Sequence, residues 1–289
     1  MNALGIISSV ILISTAAASP TTDRPDLWAW LSGHTEEAVA QIHANSDIIT
    51  DISMGGYAVD ASGNFAGAGP NATLVAELQA LGIRVWPLIG CGSSPTLRTL
   101  FANPGPFVAA AVKEAARLGV AGFNLDFEPY DGHGVADDGR GYGAFLKTFA
   151  DALHAATPPR KLSLDFFSNL PLWDLAAMNA SSVDYMISMD TYVPGNATFE
   201  AYYNLAAAHI APDRLGVGMC TGVQNSHPFT PFGPDPCGTE AWTPARVLER
   251  MKYLLTVPFA QLNLWVLPVP DAWWNGLQFF FHKLAQKAT

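Results

Sequence analysis

The feature that most constrains the fold is an alternation of short apolar strands with helical segments along the chain. Eight runs have the length and composition of buried strands, and the segments between them place apolar residues at helical spacing. Strands that alternate with helices form a parallel sheet, and eight strands close that sheet into a barrel. We therefore predict an α/β fold, a single (β/α)8 TIM barrel. The predicted strands cover residues 27–31, 48–54, 84–90, 120–129, 162–167, 183–190, 215–219 and 262–267.

An open doubly wound sheet is the alternative arrangement of the same elements. No Gly-x-Gly-x-x-Gly follows the first strand, so the dinucleotide-binding form of that fold has no support. The chain of 289 residues suits one barrel of about 250 residues, and no linker or internal repeat divides it. Two segments, 131–143 and 227–236, are predicted to be long loops because they are rich in Gly and Asp or in Pro.

Composition excludes several classes of protein. Hydrophobic residues make up 49% of the chain and charged residues 14%, which provides a large core and argues against disorder. The net charge is -10 and no basic run occurs, so the sequence predicts no nucleic-acid partner. This charge suits a neutral or weakly polar substrate.

The first residues resemble a targeting segment. Residues 4–18 are apolar, too few to span a bilayer, and end in small residues before Pro20. We predict a signal peptide over 1–18, a catalytic barrel over 19–289, and a secreted or lysosomal/vacuolar protein. No other run is long and apolar enough to cross a membrane, so we expect a soluble protein without a membrane partner. We also expect a monomer. Three Asn-x-Ser/Thr sites are compatible with secretion and are the candidate glycosylation sites: Asn71, Asn179 and Asn196.

The chain contains three cysteines. In an oxidising compartment the nearest pair, Cys220 and Cys237, could form a disulfide, which would leave Cys91 as a free thiol. A structural thiol is favoured over a nucleophile at Cys91, because no partner His is identifiable. No Cys-x-x-Cys or His-x-x-x-His spacing occurs, so neither a metal site nor a cofactor is predicted.

The stretch 120–129 carries the candidate chemistry. Side chains two apart on a strand share a face, so Asn124, Asp126 and Glu128 should lie together, and Pro129 ends the strand. Two neighbouring carboxylates move their pKa values apart, which allows one to donate a proton while the other stays ionised. The alternative is a strand end whose carboxylates pair with Lys or Arg. Functional carboxylates cluster where burial and like charge coincide, which favours a catalytic site.

Other polar and aromatic residues fall at the carboxyl ends of predicted strands, where barrel enzymes place their active sites. Each also has a structural explanation, as a helix cap or as packing at the core edge. Their convergence on one rim favours a substrate-binding role. They are Tyr57 after strand two, Asp190 and Tyr192 after strand six, and Trp265 on strand eight.

Glu128, nearest the mouth, is the candidate general acid. Asp126 is too close to act as a nucleophile on the opposite side of a sugar, which differs from the usual pair of flanking carboxylates. It suits substrate-assisted hydrolysis, in which a 2-acetamido oxygen attacks C1 and Asp126 orients the acetamido N–H. Tyr192 or Asp190 could contact the acetamido group, and Trp265 could form the floor under the sugar.

Residues 121–128, AGFNLDFE, resemble the Asp-x-x-Asp-x-Asp-x-Glu signature of glycoside hydrolase family 18, the chitinase family. The Asn at the middle position is closer to the chitobiase-type branch. The run 186–190, MISMD, is similar to the family's Met-x-Tyr-Asp, and Trp265 to its pocket-floor tryptophan.

This resemblance implies a retaining, metal-independent hydrolase of β-1,4-linked N-acetylglucosamine, with Glu128 as acid/base and Asp126 as its partner. The chain departs from the family pattern at Ala121, Asn124 and Met189, where the family has Asp, Asp and Tyr. Alternatives are an N-glycan-core hydrolase on the same fold, a chitinase-like lectin that binds carbohydrate without cleaving it, and a structural barrel. Lectin-like relatives typically lose the catalytic Glu, so the Glu at 128 favours an enzyme.

Overall fold

A computed structural model describes residues 24–32, 35–131, 134–193, 195–221 and 242–287. The predicted signal peptide, the predicted Pro-rich loop over 227–236 and Cys237 lie outside the described residues. Within the described ranges, no helix is both long enough and apolar enough to cross a bilayer.

Eight parallel strands form a closed barrel, as predicted. The barrel closes because the first strand pairs in parallel with both the second and the last. One further strand, of two residues, is antiparallel to the second strand and lies outside the barrel. In chain order the strands are β1 Asp26–Leu31, β2 Asp51–Val59, β3 Phe65–Ala66, β4 Arg84–Cys91, β5 Gly122–Phe127, β6 Lys161–Phe166, β7 Tyr185–Ser188, β8 Leu215–Cys220 and β9 Gln261–Leu267.

Helices surround the barrel and cover the outward faces of its strands. They are α1 Glu36–Ala44, α2 Ala72–Ala80, α3 Ser94–Ala102, α4 Gly105–Leu118, α5 Ala136–His154, α6 Leu175–Asn179, α7 Asn196–Ala207, α8 Pro244–Leu254 and α9 Asp271–Lys287.

The predicted long loop over 131–143 is wrong, because α5 begins at Ala136. Its glycines serve close helix packing instead. A Cβ on Gly139 would lie 2.5 Å from the Pro171 carbonyl oxygen, and one on Gly143 would lie 2.7 Å from the Ala177 Cβ. Glycine at these two positions allows α5 to approach the segment around α6. From composition alone, the same glycines had suggested a loop.

The barrel interior is occupied by a column of tryptophans. Trp86 on β4 packs against Trp28 on β1 with ring centroids 4.7 Å apart, and Trp28 lies 6.0 Å from Trp30. Trp30 in turn meets Trp265 on β9 edge-on at 5.8 Å. Gly122 on β5 leaves room for this column, since a Cβ there would lie 2.9 Å from the Trp86 ring. The column therefore extends from the barrel interior to the carboxyl-terminal end of the barrel.

An ion cluster closes the amino-terminal end of the barrel. Arg84, the first residue of β4, donates to both carboxylate oxygens of Asp51 at 2.7 and 2.6 Å and lies 2.6 Å from Asp26 Oδ2. The indole N–H of Trp86 also donates to Asp51, at 2.6 Å. Asp51 is fully buried, so these donors compensate the loss of its hydration.

Candidate active site

Strand β5 separates polar from apolar side chains as the alternation predicts. Phe123, Leu125 and Phe127 are fully buried in the core. Asn124 faces the barrel interior, where it meets side chains of β6. Asp126 lies two residues further along, and Glu128 comes directly after the strand ends. The two carboxylates therefore lie at the carboxyl-terminal mouth of the barrel, where active sites of this fold are built.

Asp126 and Glu128 line one open cavity of about 370 Å³. A cavity of this size is at the lower end of the range that holds small ligands. Its remaining wall comes from the ends of β2 and β4, from the residue after β4 and from the segment after β5: Ala58, Val59, Gly90, Cys91, Gly92 and Tyr130.

Burial shifts the protonation of both acids in the same direction. Burial, together with the charge of Glu128, raises the pKa of Asp126 well above its usual range. Burial also raises the pKa of Glu128, and a hydrogen bond from Tyr130 opposes that rise. Asp126 Oδ1 is buried without a hydrogen-bond partner in the described part of the chain. The pair therefore retains a proton at a pH where exposed carboxyls have lost theirs.

A third carboxylate, Asp165 on β6, belongs to the same cluster and was not identified from the sequence. Asn124 Nδ2 donates to Asp165 Oδ1 at 3.3 Å and to Ser163 Oγ at 3.2 Å. Asp165 is 2% exposed, and burial followed by the charge of Asp126 raises its pKa well above the usual range. The available signal was the alternation of Ser163 and Asp165 on one face of an otherwise apolar strand.

Tyr192 lies close to the three carboxylates. Its ring contacts the β8 backbone at Gly218, where a Cβ would be 2.3 Å from the tyrosine Cε1. Burial, followed by the charges of Asp165, Asp126 and Glu128, raises the pKa of Tyr192. The structure thus brings the Tyr192 side chain towards the carboxylates.

Asp190 and Trp265 occupy the same rim in different ways. Asp190 Oδ2 accepts a hydrogen bond from the Ser168 backbone N–H at 2.7 Å, which ties the segment after β7 to the segment after β6. Asp190 is 7% exposed, and burial raises its pKa. Trp265 is half-buried at the top of the tryptophan column, so part of its surface faces outward.

The structure does not bring Tyr57 to the carboxylates, in contrast to the sequence prediction. An extra residue in β2 between Met54 and Tyr57 shifts the register against β4 and changes the face on which the later residues lie. The Tyr57 hydroxyl consequently donates to Glu114 on α4, and its ring packs against the outward-facing Phe123 at 6.0 Å. Tyr57 lies on the helix side of the sheet.

The cysteines and glycosylation sites remain predictions in part. Cys91 is a free, half-buried thiol on the wall of the cavity, and burial raises its pKa. Cys220 is buried at the end of β8, and its predicted partner lies outside the described residues.

The three predicted glycosylation sites differ in exposure. Asn71 is exposed and caps α2, Asn179 is exposed and accepts a hydrogen bond from Arg214, and Asn196 is half-buried and accepts one from Arg250 at 2.8 Å. Among the residues that the structure describes, no group of three or more His, Cys, Asp or Glu has the arrangement of a metal site.

No protein-family model and no curated protein matches the chain by sequence. Solved structures do match its fold. A chitinase from Chromobacterium violaceum ATCC 12472 superposes with a TM-score of 0.72 at 15% identity, covering 89% of this chain and 99% of that one. The spore cortex-lytic enzyme SleL of Bacillus megaterium QM B1551 gives 0.71 at 13% identity, covering 90% and 75%.

A class V chitinase from Nicotiana tobaccum, a glutamate-to-glutamine mutant in complex with NAG4, superposes with a TM-score of 0.66 at 12% identity, covering 90% of this chain and 99% of that one. The chain therefore has a chitinase-like barrel fold. Identities this low establish the fold alone, and the chemistry has to be argued from the site.

Proposed function

We propose that the protein is a retaining glycoside hydrolase that cleaves β-1,4-linked N-acetylglucosamine by a substrate-assisted mechanism. The observation that carries the proposal is the position of Glu128 and Asp126 on the wall of one open cavity at the barrel mouth. The sequence resemblance to glycoside hydrolase family 18 and the fold shared with chitinases support the same class of reaction.

Glu128 acts as general acid. Its raised pKa keeps the carboxyl protonated to a higher pH than an exposed glutamate, so it can give its proton to the glycosidic oxygen as the C1–O bond breaks. The bonding electrons go to that oxygen, and the sugar's own acetamido oxygen forms the new bond to C1. Glu128 then takes a proton from the water that opens this intermediate, and the product retains its configuration.

Asp126 supports the intermediate rather than attacking the sugar. It precedes Glu128 by two residues on the same wall, so it cannot reach the opposite face of a ring that Glu128 protonates. Its Oδ1, which has no partner among the described residues, is free to accept the acetamido N–H. Tyr192 is the candidate donor to the acetamido oxygen, and Trp265 the candidate floor of the sugar site.

Incubation with candidate glycans tests the proposal. The substrates are N-acetylglucosamine oligomers, a high-mannose glycopeptide and, since a cortex-lytic enzyme shares the fold, spore-cortex fragments. We expect shortened N-acetylglucosamine oligomers by mass spectrometry, with the β-anomer formed first by NMR. Glu128→Gln should abolish cleavage and leave binding within about tenfold, because only the proton donor is lost. The matched control is Glu249→Gln on the exposed surface of α8.

Two outcomes would contradict the proposal. Wild-type protein that binds the oligomers without cleaving any of them would indicate a lectin. Cleavage that gives the α-anomer first would exclude the substrate-assisted route, because that route retains configuration.

A further inference from the structure

Tyr130 is an exposed aromatic residue that touches the candidate acid. Its side chain is 58% exposed, although it lines the cavity that contains Asp126 and Glu128. Its hydroxyl donates a hydrogen bond to Glu128 Oε2 at 3.1 Å. Neither the strand alternation nor the family signature singles out this residue.

The surrounding chain fixes Tyr130 in place. Its backbone N–H donates to the Gly92 carbonyl at 3.2 Å, and its ring lies flush against Gly92, where a Cβ would be 3.0 Å from the ring. The next residue, Asp131, accepts the Ser94 N–H with both carboxylate oxygens at 3.0 Å and so holds the start of α3. The bonds to Gly92 and Ser94 thus anchor the segment that carries Glu128 and Tyr130 to the residues that follow β4.

The hydrogen bond distinguishes the two oxygens of Glu128. In a protonated carboxyl group, one oxygen carries the proton and the other can accept a hydrogen bond through a lone pair. The oxygen that accepts from a tyrosine hydroxyl is therefore the one without the proton. Glu128 Oε2 is occupied in this way, so the transferable proton resides on Oε1. When that proton leaves, the remaining carboxylate accepts a stronger, charge-assisted bond from the same hydroxyl.

We propose that Tyr130 is the positioning residue of the general acid, and that it fixes Glu128 Oε1 as the oxygen that transfers the proton. The inference rests on the proposed glycosidase function. In the proton-transfer step the Oε1–H bond breaks, the proton joins the glycosidic oxygen, and the negative charge left on Glu128 is stabilised at Oε2 by the Tyr130 hydroxyl. The exposed ring of Tyr130 also covers part of the cavity wall against which a sugar ring packs.

Tyr130→Phe is the main test, because it removes the hydroxyl and keeps the ring. We expect kcat on N-acetylglucosamine oligomers to fall about tenfold with KM nearly unchanged, the effect of losing one hydrogen bond to a charged group. The Tyr130 bond holds the pKa of Glu128 down, so its loss raises that pKa and moves the alkaline limb of the pH profile to higher pH. The fall of kcat/KM on the alkaline side should therefore begin at a higher pH in Tyr130→Phe than in wild type.

Two further variants separate positioning from packing. Gly92→Ala keeps the Tyr130 hydroxyl group but displaces the ring that carries it, so it should reproduce part of the kcat loss. Tyr130→Ala should add a rise in KM, because the ring is lost as well. Tyr202→Phe on α7, a half-buried tyrosine far along the chain from the site, is the control and should change neither parameter.

A measurement without substrate keeps this inference separate from the function it rests on. The Glu128 carboxyl is titrated by ¹³C NMR in glutamate-labelled protein and assigned by its disappearance in Glu128→Gln. We expect a higher midpoint in Tyr130→Phe than in wild type, whether or not any glycan is cleaved. An unchanged midpoint, or a kcat loss in Tyr130→Phe without movement of the alkaline limb, would overturn the proposal.

Discussion

Asn124 on β5 donates its amide N–H to the carboxylate of Asp165 on the neighbouring strand β6, at 3.3 Å. The sequence has an amide at position 124, where the family signature has a carboxylate. Asp165 supplies a carboxylate directly beside that amide, and its charge acts on Tyr192 as the charges of Asp126 and Glu128 do. Position 124 is an amide, and the carboxylate that it contacts comes from the neighbouring strand β6.

The first prediction exchanges the two residues of this pair. Asp165→Asn should lower kcat about tenfold, because it removes the carboxyl that is electrostatically coupled to Asp126 and keeps only an amide oxygen to accept from Asn124. Asn124→Asp should also be damaging, since it adds a fourth acid to the cluster and none of the described cationic side chains contacts Asp126, Glu128 or Asp165. The double variant Asn124→Asp/Asp165→Asn restores one amide and one carboxylate, so it should recover much of the lost kcat.

A double-mutant cycle on kcat/KM measures the exchange. Recovery in the double variant would show that the site requires one carboxylate and one amide at positions 124 and 165, whichever strand carries the carboxylate. Strictly additive losses would show that Asp165 acts through its own position, and a wild-type rate in Asp165→Asn would remove it from the site.

The second prediction concerns pH and stability. The pKa of Asp126 is raised in the folded protein, so the native state binds more protons than the unfolded chain above pH of about 4. This carboxyl therefore lowers the free energy of unfolding progressively as the pH rises from that value towards its folded pKa. Asp126→Asn removes the penalty, and the variant should have a higher Tm than wild type at pH 7 and nearly the same Tm at pH 4.

Thermal unfolding at the two pH values measures this difference, with about 2–4 °C expected for each kcal/mol. Asp47→Asn, an exposed position after α1, is the control and should leave the difference between the two pH values unchanged. A stabilised but inactive Asp126→Asn is typical of an active-site residue retained at the expense of stability. A Tm lower than wild type at pH 7 would contradict the assignment of Asp126 as a destabilising buried acid.

The third prediction concerns the amino-terminal end of the barrel. Arg84→Met leaves the carboxylates of Asp26 and Asp51 without their shared cation, and Asp51 is fully buried. Since Arg84 is 42% exposed, we expect a loss of about 2–3 kcal/mol, at the lower end for breaking such a cluster. The site lies at the other end of the barrel, so kcat/KM below the unfolding temperature should not change.

Chemical denaturation of Arg84→Met measures the loss, and Arg117→Met is the matched control. Arg117 is 58% exposed and pairs with Glu114 on the helix surface, where an ion pair contributes about 1 kcal/mol or less. Equal losses in the two variants would show that burial of Asp51 carries no special cost. The loss in Arg84→Met should also diminish at acid pH, as the Asp26 carboxyl, whose pKa burial raises, takes up a proton.

The strands that build the barrel could be predicted from the sequence because each is a short apolar run with its own signal. The face of β5 followed from simple alternation, which places Asp126 towards the barrel and Phe127 towards the helices. The segment 131–143, which contains the start of α5, was predicted to be a loop, because the requirement for Gly139 and Gly143 comes from a neighbouring segment that the local sequence does not reveal. Whether a glycine lies in a loop or in a closely packed helix depends, in this case, on contacts with residues distant in the sequence.

The same distinction applies to the site. Asp165 joins it through a contact with Asn124 that crosses from β6 to β5, which a pattern within one strand does not encode. Tyr130 lies only two residues beyond Glu128, but β5 has already ended there, so the alternation along the strand no longer predicts where its side chain lies. Tyr57 was misplaced for a local reason of a different kind. The extra residue before Tyr57 breaks the period of two on which the prediction depended.

The last prediction follows from the opposite placements of two tyrosines. Tyr192→Phe keeps the ring against Gly218 but removes the hydroxyl whose pKa is raised by burial and by the charges of three carboxylates, so kcat/KM on N-acetylglucosamine oligomers should fall about tenfold. Tyr57→Phe removes a hydroxyl that bonds to Glu114 on the helix side, so kcat/KM should stay within twofold of wild type, a change of roughly 0.4 kcal/mol. Steady-state kinetics on both variants, with Tm as the check on folding, tests the pair together. A loss of kcat/KM in Tyr57→Phe at unchanged Tm would contradict the placement of Tyr57 outside the site, because a residue on the helix side of β2 would then affect the reaction. An unaffected Tyr192→Phe would require another donor for the acetamido oxygen.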